Sequence, residues 1–433
     1  MTLRPGSTAH LTPEAPQWQL ACGPPLNLPA FHDIRRRMVL EFCKWDPQVQ
    51  DVSTLAPFPL LLPEPQWRQL ARDAESLAAE TLLIERRLME RPDLHVHIGL
   101  PRRLRQLFRG AQPPQYTPAI ARVMRFDFHP TPDGWRISEV NSDVPGGFTE
   151  SSAFTRLIAQ HFPGAYVPGD PAHSWATAIH SHHEPGLPVA LLSAPGFMED
   201  HQVIAFLART LAAAGHRALV CTAHHLRFTH GRAHLDAAWY KGPLAAVVRF
   251  HQAEWLSRLP RSVQWQPLFT HGITRVCNPG AATLTESKRL PLLWDQLDVF
   301  VPAWRRLLPE TRHPRDTPWR TSDEWLIKQS YCNTGDSVAH AGLSTPRKWL
   351  AARLDVMLHP RQWIAQRRFQ ITPLQTPLGP MFPCIGVYTV DGRAAGIYAR
   401  ISSRQIIAYD AIDAAVLIQP QRAPHDLTSK ETP

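Results

Sequence analysis

The clearest periodicity in the chain lies in residues 122–141, RVMRFDFHPTPDGWRISEVN. Val123, Arg125 and Asp127 alternate with apolar neighbours, and Trp135, Ile137, Glu139 and Asn141 repeat the period of two beyond Pro132, Asp133 and Gly134. The pattern predicts two strands joined by a tight turn. A three-residue loop at 132–134 pairs Thr131 with Trp135 and, counting back, Asp127 with Glu139 and Arg125 with Asn141. A two-residue loop at Asp133 and Gly134 would shift the pairing by one and send the two carboxylates to opposite faces. Upstream the period is helical. PAFHDIRRRMVLEFCK at 29–44 has helical spacing, and within 64–92 Trp67, Leu70, Ala71, Ala74, Leu77, Leu82 and Leu83 approximate an apolar stripe. Both helices are expected to pack behind the hairpin.

Downstream, PVALLSAP reads as a buried strand, EDHQVIAFLARTLAAAGH as an amphipathic helix ending at Gly215, and RALVCTA as a second strand. Strand, helix and strand at this length predict a right-handed βαβ unit, and LAAVVRFH at 244–251 adds another buried strand. The last third holds apolar strand patterns in ITRVC and EWLIK, and a second hairpin, CIGVYTVDGRAAGIYARIS, turning at Asp391 and Gly392. The fold class is therefore mixed α/β. The expected division is an irregular arm at 1–30, helices with the hairpin at 31–165, an α/β unit at 166–272, a further part at 273–420 and a polar tail at 421–433.

A chain of 433 residues, with 44% hydrophobic residues and 14 Trp, is long enough for two or three domain cores. The 43 prolines are spread without a repeat and read as stiffening of loops. Six cysteines lie far apart with no CxxC pair, which argues against a zinc site or a disulfide framework. His95 and His97 read as ordinary loop or strand histidines, and His180, His182 and His183 as solvated. No apolar leader follows the N-terminus and no run of about eighteen apolar residues occurs. A soluble cytoplasmic protein, with no membrane partner, is the expectation. The net charge of +9 raises nucleic acid as a partner, but the excess is scattered Arg, densest at Arg102, Arg103, Arg105 and Arg109. Without a basic helix, zinc finger or aromatic RNA-binding signature, nucleic acid is disfavoured, and a cleft for small anions accounts for the sign. The middle region has no GxGxxG and so no claim on a dinucleotide. Pro145, Gly146 and Gly147 permit close backbone approach, and Thr149, Glu150, Ser151 and Ser152 read as the polar opening of a helix, for which a plain cap is one reading.

In the counted register two like charges, Asp127 and Glu139, face each other, which is unfavourable unless a cation sits between them. Mg²⁺ suits such a place, because it takes oxygen ligands and keeps waters and phosphate oxygens in its shell. Arg125 on the same face would then meet developing anionic charge. Spacing alone also allows a surface hairpin with solvated polar residues.

The pattern R-x-D, eleven intervening residues, E-x-N and then S-D-x-P resembles the metal-binding segment of the glutathionylspermidine synthetase-like enzymes, a circularly permuted branch of the ATP-grasp ligases. The resemblance spans roughly 115–410. It implies a permuted ATP-grasp fold, with 166–272 as its Rossmann-like pre-ATP-grasp domain and the metal strands ahead of the nucleotide-binding lysines. By that similarity Asp127, Glu139 and Asn141 hold Mg²⁺, and Arg125 stabilises acyl transfer. Lys288, followed by Pro291 and Trp294 as in relatives, and Lys328, at the end of EWLIK, bind ATP phosphates. Gly335 belongs to the loop over the γ phosphate. Gln366 borders the adenine, with backbone groups around Arg367 and Arg368, and Arg400 resembles an arginine near the reacting groups. Arg249, Glu254 and Trp255 match a family stretch without an assigned role. The implied activity joins a small-molecule carboxylate to an amine at the expense of ATP, on peptide-like or polyamine-like substrates. Only the synthetase half is expected, since no amidase domain fits ahead of the hairpin. The loop at 331–338 departs from the family, with Asn333, Thr334, Asp336 and Ser337 around a single Gly335. That departure keeps a second reading open, a catalytically inactive binding module on the same fold. The motifs say nothing of the oligomeric state.

Overall fold

The computed structural model describes residues 20–49, 52–260, 262–331, 337–408 and 410–421. The alternating stretch folds as an antiparallel hairpin, Val123–Thr131 against Gly134–Asn141. Asp127 lies opposite Glu139 and Arg125 opposite Asn141, as counted, but by another route. The loop is shorter than the three residues expected: Thr131 pairs with Gly134, leaving Pro132 and Asp133 between them. Gly134, at φ 109°, lets the chain reverse in that short span. A bulge then restores the register, because Phe128 faces Ile137 while Asp127 faces Glu139, with Ser138 as the extra residue.

The hairpin is one edge of an antiparallel sheet completed by a distant part of the chain. Gly379–Val390 pairs with Val123–Thr131, Arg393–Ser402 follows at the turn of Asp391 and Gly392, and Ile412–Ala414 closes the far edge. The helix Glu64–Glu90 packs against the strands Gly379–Val390 and Arg393–Ser402 of this sheet. It buries Leu70, Ala74, Leu77, Ala78, Ile84 and Leu88, whereas Trp67, Ala71, Leu82 and Leu83 of the expected stripe are only half-buried. Asp73 and Glu85 take places on the buried face because Arg306 and Arg122 pair with them.

A second, parallel sheet has the order Arg275–Cys277, Ala246–Phe250, Val189–Ser193, Ala218–Cys221. The amphipathic helix Met198–Ala213 connects Val189–Ser193 to Ala218–Cys221, the first two of these strands in chain order. The middle strands are buried throughout, as their unbroken apolar runs require. A three-stranded meander, Leu226–Thr229, Arg232–Ala237 and Tyr240–Pro243, lies within this unit, in a stretch without a clear alternating pattern. A third sheet, ordered Thr311–Arg312, Trp363–Arg367, Trp325–Gln329, Val338–Ala339, has its own core of Trp319, Trp325 and Trp363 with Trp349 from the covering helix Pro346–Leu358.

The parallel sheet is fastened to the hairpin by buried polar contacts. Arg249 pairs with Asp143, whose Oδ2 also accepts the Ala253 N–H at 2.9 Å. The Asn278 side chain accepts the Val123 N–H at 2.7 Å and donates to the Val123 carbonyl at 2.8 Å. These contacts fix the loop that follows Asn141. The architecture is mixed α/β, a Rossmann-like sheet joined to two antiparallel sheets that face each other across the candidate site.

Candidate functional site

The hairpin delivers Arg125, Asp127, Glu139 and Asn141 to one face near the middle of the molecule. Arg125 grips Asp127 with two hydrogen bonds, Nε to Oδ1 at 2.7 Å and Nη2 to Oδ2 at 2.9 Å, and gives Nη1 to the Gly146 carbonyl at 2.9 Å. Its guanidinium also lies 5.6 Å from the Tyr398 ring centroid. Room for this side chain comes from Gly386, directly across from Asp127, where an added Cβ would meet Tyr398 at 2.7 Å and Arg125 Cδ at 3.0 Å. Gly147, at φ +86°, passes so close to Tyr388 and Tyr398 that a Cβ would sit 2.7 Å from each. Asn141 donates Nδ2 to Asp127 Oδ2 at 3.2 Å. Arg400, on the returning strand of the second hairpin, reaches the same oxygen at 3.5 Å.

Lys288 and Lys328 come to Glu139 from different elements. Lys288 Nζ pairs with the Glu139 carboxylate at 3.0 Å, and Lys328 Nζ donates to the Ser138 carbonyl at 3.2 Å. Burial works to raise the Asp127 carboxyl, but Arg125, then Arg400, outweigh it and hold it below the usual range. Glu139 is likewise pushed up by burial and by Asp127, and held down on balance by Lys288 and Lys328. Both carboxylates are thus ionised at neutral pH. Burial, opposed by Asp127 and helped by Lys328, lowers His129 to about 4, so that imidazole is neutral.

Two clefts meet here. One runs between the hairpin and the third sheet, bounded by Asp127, His129, Glu139, Lys328, Phe369 and Arg400. The other, about 690 Å³, opens toward the parallel sheet and is lined by Arg125, Asn141, Arg400 and Lys44, with Glu150, Glu199, Asp200, Glu254 and Asp413. Arg400 faces both. Burial, reinforced by Glu199, pushes Asp200 up to about 7, and burial with Asp143 does the same for Glu254. Lys44 is held by Glu150 at 2.6 Å, Asp46 at 3.2 Å and Asp413 at 3.4 Å.

Other residues singled out in the sequence have local partners. Gln366 does not line the main cleft; it is buried beside Lys288 in a narrower cavity, donating Nε2 to Thr311 Oγ1 at 3.1 Å. The backbone N–H groups of Arg367 and Arg368 already bond the carbonyls of Glu310 and Glu324, at 2.8 and 2.7 Å, and so are not open donors for an adenine. His180 and His182 are exposed, as expected, while His180 Nδ1 lies 3.0 Å from His216 Nε2 and the half-buried His183 packs edge-on to His216. His95 sits in a 3₁₀ turn, Pro92–Val96, with Nε2 bonded to the Leu88 carbonyl. Gly335 lies outside the described residues.

The residues missed are instructive. His129 continues the period-two face of Arg125 and Asp127, a signal present in the sequence. Glu199 and Asp200 read as ordinary acids of a helix's first turn, and Lys44 and Asp413 carry no local signal; tertiary folding alone brings them together.

Asp127, Glu139 and Asn141 offer hard oxygen donors on one face. Among the described residues no group of three or more His, Cys, Asp or Glu could hold a metal by itself. No helix of the described residues is long and apolar enough to cross a membrane.

No curated protein matches the chain in sequence. Among solved structures, a glutathione synthetase-like effector from Globodera pallida, in apo form, superposes with a TM-score of 0.63 at 11% identity, over 90% of this chain and 96% of that one. A candidate gamma-glutamylcysteine synthetase from Methylobacillus flagellatus KT gives a TM-score of 0.42 at 12% identity, over 77% and 87%. The family model described as glutathionylspermidine synthase preATP-grasp matches residues 62–412, most of the chain, with Arg125, Asp127, Glu139, Asn141, Lys288, Lys328 and Arg400 inside the match, and the protein belongs to that family.

Proposed function

We propose that the protein is an ATP- and Mg²⁺-dependent ligase that joins a carboxylate to an amine through an acylphosphate, with peptide-like or polyamine-like substrates. The observation that carries this reading is the convergence on Glu139 and its neighbour Ser138 of two lysines from separate elements, beside an Asp127 clasped by Arg125 and reached by Arg400. Asp127, Glu139 and Asn141 are the groups that would hold Mg²⁺, which when bound neutralises phosphate oxygens. Lys288 and Lys328 are fixed point charges for the triphosphate. Arg400, facing both clefts, is placed to orient the acid between nucleotide and amine. The acid oxygen attacks the γ phosphorus and ADP leaves; the amine nitrogen then attacks the acyl carbon, phosphate departs, and the nitrogen gives up a proton. Arg125 and Arg400 offset the negative charge that grows at the acyl oxygen. Glu199, Asp200, Glu254 and Asp413 line the second cleft, where burial holds their carboxyls up; a bound cation would favour their ionised forms, which supports a cationic amine as the second substrate.

In this reading 31–165 and 273–420 make up the ATP-grasp part, 166–272 the pre-ATP-grasp domain, and the protein works in the cytoplasm. The test is ADP release during a screen of paired acids and amines with Mg·ATP. Release that needs both partners is the expected result. The single-glycine loop at 331–338 favours one competitor, the inactive binding module, for which Mg·ATP would bind without ADP release under any pairing.

A further inference from the structure

Beside the tip of the metal hairpin, and outside the cleft just described, lies a cavity of about 530 Å³ whose walls hold five arginines against only two acids, Asp133 and Glu310. Three of the guanidinium groups have carboxylate partners: Arg305 with Asp295 at 2.5 Å, Arg306 with Asp73 at 2.6 Å, and Arg367 with Glu310 at 3.1 Å and Glu324 at 2.8 Å. The other two, Arg136 and Arg368, have none among the described residues. Arg136 gives Nη1 to the Arg306 carbonyl at 2.6 Å, and Arg368 gives Nη2 to the Gln405 amide oxygen at 2.9 Å. The Nε of Arg368 is buried with no acceptor among the described residues.

Guanidinium groups present several donors in a planar fork that matches oxyanions with more than one oxygen, and a concave wall of one sign concentrates the field on such an ion. We infer that this cavity is a binding site for a polyphosphate anion, free or carried by a nucleotide, distinct from the nucleotide cleft. Arg136 comes from the hairpin and Arg368 directly follows the strand Trp363–Arg367, so the anion would bridge two sheets. Arg368 and Phe369 line both this cavity and the nucleotide cleft. The inference stands on charge and geometry and does not require that the protein be a ligase.

The experiment is calorimetric titration of the full chain with inorganic tripolyphosphate in the presence of EDTA, so that no Mg²⁺-dependent site contributes. The native protein, Arg136→Glu, Arg136→Lys and Lys328→Ala are compared, with melting curves to show that each is folded. One site is expected, weakened by about tenfold or more in Arg136→Glu, by less than about threefold in Arg136→Lys, which keeps the charge, and retained in Lys328→Ala. Displacement of tripolyphosphate by metal-free ADP would mark the natural occupant as a nucleotide, and failure to displace it would mark a free polyphosphate. No binding to the native chain, or binding lost in Lys328→Ala but kept in Arg136→Glu, overturns the proposal.

Discussion

Asp127 and Glu139 share a face and a charge but not an environment, and this separates their variants. The Asp127 side chain is 2% exposed and neutralises the buried Arg125, whereas the Glu139 side chain is 19% exposed at the cleft. Asp127→Ala leaves a guanidinium buried without its partner and is expected to lower stability by about 3–5 kcal/mol. Glu139→Ala takes a partner from the buried Lys288 but opens onto solvent, and should cost less, about 1–3 kcal/mol; urea denaturation of both variants checks the difference. Because both carboxyls are held below their ordinary values, their contribution is complete above about pH 4, the unfolded range, and is lost as acid protonates them in the folded state. Most of this centre was legible, since Arg125, Asp127, Glu139 and Asn141 follow from alternation. Lys44 and Asp413, which meet only through tertiary folding, were not.

At the scale of elements, the short helix Thr283–Glu286 holds the loop after the hairpin. Glu286 Oε2 accepts the backbone N–H of Ser142 at 2.6 Å and of Asp143 at 2.8 Å, two residues ahead of Lys288. Burial pushes Glu286 up to about 8, with Lys288 opposing and Asp143 adding to the rise. The folded state thus keeps a proton that the unfolded chain has lost above about pH 4.3. The native protein therefore gives up stability as pH rises between those values. A glutamine accepts the same two N–H groups without ionising. Glu286→Gln should gain stability relative to the native chain from pH 5 to about 8.5 and then hold a constant lead; a difference that does not vary with pH would contradict this. The register of the hairpin shows how far pattern reading reaches at this scale. It found the right partners through a loop one residue too long, because a bulge at Ser138 compensates, and nothing in the alternation of side chains marks that extra residue. The strand Gly379–Val390 and its return were legible from the turn at Asp391 and Gly392, while the short, half-exposed meander at 226–243 was not.

Over the whole molecule, two parts of the chain far apart in sequence make one sheet, and the third sheet, with its separate tryptophan core, closes over their exposed edge. The expected consequence is a change in mobility confined to one body. A Mg²⁺-bound ATP analogue should slow hydrogen exchange in Trp325–Gln329 and Trp363–Arg367, and leave the parallel strands Val189–Ser193 and Ala246–Phe250 unchanged. Uniform slowing would mean that the nucleotide stabilises the protein without engaging the third sheet. The division into a Rossmann-like unit and an antiparallel part was readable from apolar runs against alternation. The second cleft was not, because its wall draws on the segment before the hairpin, the parallel sheet and the last strands together.

The central claim is that the hairpin carboxylates and the two lysines make a Mg·ATP site. Calorimetric titration of a non-hydrolysable ATP analogue into the native chain and Glu139→Ala, each with and without Mg²⁺, tests it most directly. The account predicts tight binding by the native chain only when Mg²⁺ is present, weakened by about a hundredfold in Glu139→Ala while the variant melts as a folded protein. Equal affinity of the two chains, or binding indifferent to Mg²⁺, would contradict it.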